Sequence, residues 1–324
     1  MIMSRKALVV GIDNYLKCPL NACINDANAV ASLLERNEDG TKNFDVRTIY
    51  DVENKAVLKQ EIRKLFKGDS EVALFYFSGH GCNDENKGYL VTRMFQQDDY
   101  GLPMNELIEM AHKSKIKNKI IILDTCHSGS IGSSAFQSDV SNITDGLTVL
   151  TSCRTEETSL EVGEHGIFTS LLINGLKGGA SDLLGNVTAG GLYAFIDRSL
   201  GPWDQRPSFK TNVSSFTVIR KTNPPIDLSV LRDLKDMFSS PCEYLHLDPS
   251  FEYTNSPEVD HEVVEPYAVE KNVKLFKQLQ KLQSVGLVQP VGEDHMYFAA
   301  MNSKACKLTE VGKYYYMLSK DGRI

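Results

Sequence analysis

Apolar residues in this chain come in two forms, short unbroken runs and longer stretches with helical spacing. Ala7–Ile12, Val72–Phe77, Lys119–Thr125 and Leu147–Thr151, with β-branched Val46–Tyr50, predict strands. Unbroken runs, rather than alternation, mark strands buried on both faces. Between them Asn25–Arg36 (Ala27, Val30, Ala31, Leu34), Lys55–Phe66, Met104–Ala111 and Phe168–Leu176 place apolar residues at helical spacing. The alternation predicts an α/β fold: a mostly parallel sheet covered by helices on both faces. In such sheets reactive groups gather beyond the carboxyl ends of the strands, which directs attention to the residues after Phe77 and Leu123.

The pattern changes near residue 221. Thr222-Asn-Pro-Pro225 reads as a stiff linker, so 1–221 is expected to be one domain. Residues 222–270 carry 2 basic and 11 acidic residues, a net of −9, and 271–324 carry 9 and 4, a net of +5. The acidic piece reads as a linker or helical segment. The basic piece predicts helix Val273–Ser284, strand Met296–Ala300 after a polar turn, and helix Leu308–Leu318, a small α+β module similar to a winged helix. Ser128–Gly146, rich in Ser, Gly and Asn, reads as a flexible loop.

Composition narrows the class. Of 324 residues 42% are hydrophobic and 24% charged, ordinary for a globular protein. No apolar run approaches the roughly 18 residues needed to cross a bilayer. The short apolar start is interrupted by Asp13 and no small-residue cleavage site follows it, so it reads as a first strand rather than a signal peptide. Seven cysteines with no Cys-x-x-Cys pair indicate neither a disulfide framework nor a zinc site. A reducing, cytoplasmic setting without membrane attachment is expected. The net charge of −7 argues against general nucleic-acid binding.

Two motifs end apolar runs. Ser78-Gly79-His80-Gly81 follows Val-Ala-Leu-Phe-Tyr-Phe, and its glycines predict a sharp turn that exposes the imidazole. Histidine titrates near neutrality and can take a thiol proton and return it to a leaving amine. Asp124-Thr125-Cys126-His127-Ser128-Gly129 follows Ile-Ile-Ile-Leu, a position that exposes a cysteine rather than burying it. His80 precedes Cys126 by 46 residues, against about 50 in caspases. Here the chain resembles the caspase–metacaspase family, in its metacaspase or orthocaspase branch. The likeness runs from about Lys6 to Arg220. It includes Gly11-Ile-Asp-Asn-Tyr15, Asn25-Asp26-Ala27, Thr151-Ser-Cys-Arg154, Glu157-Thr-Ser159 and Gly166-Ile-Phe-Thr-Ser170.

The resemblance implies a thiol endopeptidase. Cys126 would attack the scissile carbonyl and His80 would act as base and then acid. The main-chain N–H groups of Gly81 and Cys126 would bind the oxyanion. No residue is evident in the sequence to orient His80, and a backbone carbonyl is the expected partner. In the metacaspase branch, positions matching Cys23, Asp26, Ser78 and Asp124 line the pocket for the residue before the cut. Two carboxylates there would select Arg or Lys. Asp26 as a helix cap and Asp124 as an acceptor of backbone N–H groups are the plainer alternatives. No metal or cofactor is expected. Metacaspases often need calcium, but the stretch after Cys126 has no carboxylate until Asp139, and Asp98-Asp99 reads as a solvated loop.

No Lys or Arg lies between Lys119 and Arg154, so an Arg/Lys-specific enzyme could not cut its own Ser128–Thr151 loop. Arg220-Lys221 reads as an available alternative. The expected partners are protein substrates and a regulatory protein docked through the C-terminal domain. Nucleic acid is the less favoured partner, and a stress or defence response is the expected setting. Two further readings stay open. One is a DNA-binding or adaptor protein whose caspase-like domain is an interaction module. The other is a caspase-fold peptidase of another branch, separase- or gingipain-like.

Overall fold

The computed structural model describes residues 4–84, 87–96, 99–127, 143–152, 161–162, 165–200, 207–258 and 263–324. For residues 84, 126, 127, 161 and 162 it describes the main chain alone. Most of the expected 128–146 loop, Asp98 and most of the 151–159 motif thus lie outside the described residues. The chain divides into two compact units, Met1–Asn223 and Pro224–Ile324.

In the first unit the apolar runs are β1 (Arg5–Gly11), β2 (Asp45–Tyr50), β3 (Val72–Asp84), β6 (Asn118–His127) and β7 (Leu147–Thr151). They form a parallel core in the order β7-β6-β3-β1-β2. Three antiparallel strands extend it: β4 (Lys87–Gln96) on the distal end of β3, β5 (Asp99–Pro103) on β4, and β11 (Ser208–Asn212) on the far side of β7. The sheet is mixed α/β and mostly parallel, as the pattern predicts. Its period of two divides the core between its faces. Leu8, Val10, Phe75, Phe77, Ile121 and Leu123 pack with α2 (Lys55–Leu65) and α3 (Met104–His112). Ala7, Val9, Leu74, Tyr76, Ile120 and Ile122 pack with α1 (Cys23–Glu35), α4 (Ile167–Asn174) and α5 (Ala189–Leu200).

Two expectations are corrected here. Ser78–Gly81 makes no sharp turn: β3 runs straight through it to Asp84, and His80 is 8% exposed. Gly79 is needed for space, because a Cβ there would meet the Tyr15 hydroxyl at 2.5 Å. Arg220-Lys221 is not an open cleavage site. It lies on β12 (Val218–Lys221), paired with β10 (Asn186–Thr188), and Arg220 is buried. The Arg220 guanidinium donates to Leu176 O, Arg36 O and Glu38.

The second unit places α6 (Leu228–Arg232) and α7 (Leu234–Met237) before β13 (Tyr244–His246). After them come α8 (Glu270–Ser284), β14 (Val288–Val291), α9 (Met296–Met301), β15 (Ala305–Leu308) and α10 (Glu310–Lys320). The strands form an antiparallel sheet in the order β13-β15-β14. Met296–Ala300 is therefore helical, not a strand. Met296, Ala299 and Ala300 are buried while Tyr297 and Phe298 are exposed. That is one apolar helix face, which over five residues is easily misread as a strand. The acidic 222–270 stretch contributes β13 to the same sheet as the basic tail.

Candidate active site

The site gathers where β1, β3 and β6 end. In β3 and β6 the parallel register pairs Ser78 with Asp124, and His80 with Cys126. Four of the predicted positions thus lie in main-chain register at one edge of the sheet. Gly81 lies one step further on, opposite His127 of β6 and Leu90 of β4. The Cys126 side chain lies outside the described part.

The connection from β1 to α1 supplies the scaffold for His80. Asp51, held at φ 48°, accepts the N–H groups of Asp13 and Asn14, each at 3.0 Å. The Asp13 carboxylate accepts from the N–H groups of Cys23 and Ile24 at 2.8 and 3.1 Å. It satisfies two of the unpaired donors that open every helix. The carbonyl of Cys18 is thereby held against the His80 imidazole, with Nε2 at 2.7 Å. A carbonyl only accepts, so Nε2 carries the proton and neutral Nδ1 is the acceptor. His80 Nδ1 is buried with no partner among the described atoms. The expected backbone orienter is thus Cys18, a residue to which sequence reasoning gave no role.

Tyr15, which the sequence marked only as part of the Gly11–Tyr15 stretch, is a second supporting residue. It is 3% exposed, its hydroxyl accepts from the His80 N–H at 2.9 Å and donates to Val91 O at 3.3 Å, and its ring lies 4.5 Å from the imidazole. Burial holds the His80 pKa below its ordinary value, because the imidazolium is the form that loses hydration.

Beside the pair lies an acidic cluster. Asp26 in the first turn of α1 and Asp124 on β6 are 2% and 3% exposed. Asp26 accepts from Ser78 Oγ at 3.2 Å and from His165 Nδ1 at 2.8 Å. It does not cap α1, the role that Asp13 fills. Burial, and next the charge of Asp124, push the Asp26 pKa up to about 6, opposed by His165 and Ser78. Asp124 accepts from Thr169 Oγ1 at 2.7 Å, and Thr169 in turn meets the Tyr76 hydroxyl at 2.6 Å. Since Thr169 gives its proton to the carboxylate, Tyr76 donates to Thr169. Burial raises the Tyr76 pKa well above its ordinary value, so the phenol keeps that proton. Cys23 is buried nearby and burial pushes its thiol up. Cys23, Asp26, Ser78 and Asp124 are thus brought together; His165, Thr169 and Tyr76 were not foreseen as members of the cluster. Among the described residues no three His, Cys, Asp or Glu side chains converge as a metal ion would require, and no helix is long and apolar enough to cross a membrane.

Residues 4–212 match the model of the caspase domain of peptidase family C14. Solved structures share the fold, among them the following two. The protein GSU0716 from Geobacter sulfurreducens is similar with a TM-score of 0.51 and 21% identity, over 68% of this chain and 98% of that one. Caspase-1 from Spodoptera frugiperda is similar with a TM-score of 0.51 and 13% identity, over 68% and 91% of the two chains. No curated protein matches. A mostly parallel sheet whose strand ends carry a histidine and a cysteine in register is the architecture of a caspase-fold cysteine peptidase. This chain belongs to the caspase-domain family, a family of cysteine peptidases that act on proteins.

Proposed function

We propose that the protein is an endopeptidase that cuts polypeptides after Arg or Lys through a Cys126–His80 dyad. The observation that carries the dyad is the pairing of the two residues in adjacent parallel strands, with His80 Nε2 fixed on Cys18 O. That bond leaves Nδ1 as the base. Cys126, as thiolate, adds to the scissile carbonyl. His80 takes the thiol proton and delivers it to the leaving amine, and water then hydrolyses the thioester. Gly81 and Cys126 N–H groups serve the oxyanion.

Support for a basic side chain before the cut comes from the buried pair Asp26 and Asp124. Two carboxylates taken out of water are costly unless a cation joins them, and a guanidinium offers a fork of donors that suits them. The metacaspase or orthocaspase branch fits this preference. Fluorogenic peptides ending in Arg, Lys and Asp, assayed with wild type and Cys126→Ala, test both claims. Cleavage after Arg and Lys that vanishes in the variant is expected; preferential cleavage after Asp would overturn the specificity.

We assign the Pro224–Ile324 unit a regulatory or partner-docking role rather than DNA binding. The acidic stretch and the basic tail share one sheet, and 222–324 carries a net −4 (−9 and +5), which repels phosphate. Salt-sensitive retention of the full chain on DNA would reverse the assignment. A cytoplasmic setting, independence from calcium and a part in stress or defence signalling complete the proposal. Activity that persists in a calcium chelator is the direct check of the second.

A further inference from the structure

His165 opens no catalytic step and lies 139 residues from Asp26, yet its Nδ1 sits 2.8 Å from the Asp26 carboxylate. Asp26 is 2% exposed, whereas the His165 side chain is 28% exposed. Among the described residues, the groups that face Asp26 come from four elements. Asp124 comes from β6, Tyr76 and Ser78 from β3, Cys23 from its own helix, and His165 from β9 (His165–Gly166), which pairs with β8 (Glu161–Val162). Among them only His165 can bring positive charge, and only His165 and Ser78 donate a hydrogen bond to Asp26. Without a substrate, two buried carboxylates repel each other, and one of them would take up a proton. A neutral acid in that pocket would no longer attract a cation.

We propose that His165 is a positioning residue of the specificity pocket: it keeps Asp26 ionised and aimed while the pocket is empty, so that a basic side chain meets a charged carboxylate. The inference rests on the Arg/Lys reading and names the residue on which its affinity depends. The direction of the effect is fixed. Asp26 must be ionised to bind a cation, so affinity falls as pH falls through its titration. The hydrogen bond from His165 favours the carboxylate, so its removal moves that titration to higher pH. A lost charge-assisted hydrogen bond changes proton affinity by about tenfold, roughly one pH unit.

The test compares wild type, His165→Leu and His165→Gln on an Arg-ended peptide between pH 5 and 8.5. In His165→Leu the acid limb of kcat/KM shifts up by about one unit, so KM rises about twofold at pH 7 and about fivefold at pH 6, with kcat nearly unchanged. His165→Gln keeps an N–H donor and restores most of the affinity. An acid limb and KM unchanged in His165→Leu would overturn the inference. A parallel measurement needs no turnover: the carboxyl 13C titration of Asp26 in Cys126→Ala, with and without His165→Leu. If wild type fails to cut after Arg or Lys, the specificity reading falls alone and this titration decides. A raised Asp26 midpoint sustains the role of His165, and an unmoved one ends it.

Discussion

The hydroxyl of Thr169 connects the acidic cluster to the core, and its removal is a sharp test of that connection. Thr169 is 0% exposed. It donates to Asp124 at 2.7 Å and accepts from Tyr76 at 2.6 Å. Thr169→Val preserves shape and deletes both bonds. A hydrogen bond to a charged acceptor contributes about 1.5–3 kcal/mol, and a buried phenol left without a partner costs about 1–3 kcal/mol. The expected loss is therefore about 3–5 kcal/mol, a large share of a typical domain's stability of roughly 5–15 kcal/mol. Thr169→Ser keeps the hydroxyl and loses one methyl, costing about 1 kcal/mol. Tyr76→Phe removes the orphan, so Thr169→Val with Tyr76→Phe should cost about 1–2 kcal/mol less than the two changes summed. Urea unfolding gives the values, provided the slopes agree. Amide exchange in β3 and β6 reports on the first unit alone. A Thr169→Val protein as stable as Thr169→Ser would refute the argument.

Other consequences concern the site directly. Tyr15→Phe strips the acceptor from the buried His80 N–H; a fall in kcat of about tenfold with little change in KM is expected from loosened positioning. His80, with its pKa held below the ordinary 6.5, binds fewer protons folded than unfolded around that value. Its contribution to stability is therefore lost as pH falls below about 6.5 and through the lower folded value, and an NMR titration in Cys126→Ala should give a midpoint below 6.5. Asp26 behaves oppositely, because its pKa rises from 3.8 to about 6. The folded state then binds more protons, and stability falls as pH rises from about 4 to about 6. Asp26→Asn should gain as much as about 3 kcal/mol at pH 8, nothing near pH 3.5, and raise KM for Arg-ended peptides. Mass spectrometry of wild type against Cys126→Ala should find no self-cut between Ser128 and Thr151, which holds no Lys or Arg.

The parallel core was legible in the chain because strands buried on both faces must be apolar at every position, and runs such as Val72–Phe77 and Ile120–Leu123 satisfy that. The antiparallel additions were not. β4, β5 and β11 are partly exposed and mixed in polarity, and what holds them is the edge of a neighbouring strand rather than a pattern of their own. The glycines around His80 were visible, but their use was not, since Gly79 makes room for a tyrosine 64 positions away. At the site, the two motifs at strand ends pointed to His80 and Cys126, and the family resemblance implied Cys23, Asp26, Ser78 and Asp124. Only tertiary structure brought Ser78 opposite Asp124, and His80 opposite Cys126, because register is set by the packing of whole strands. The Cys18 carbonyl that orients His80 had no signature, since every residue has a carbonyl. His165 and Thr169 likewise gained their roles from chain closure, which brings distant donors to carboxylates that burial would otherwise leave uncompensated.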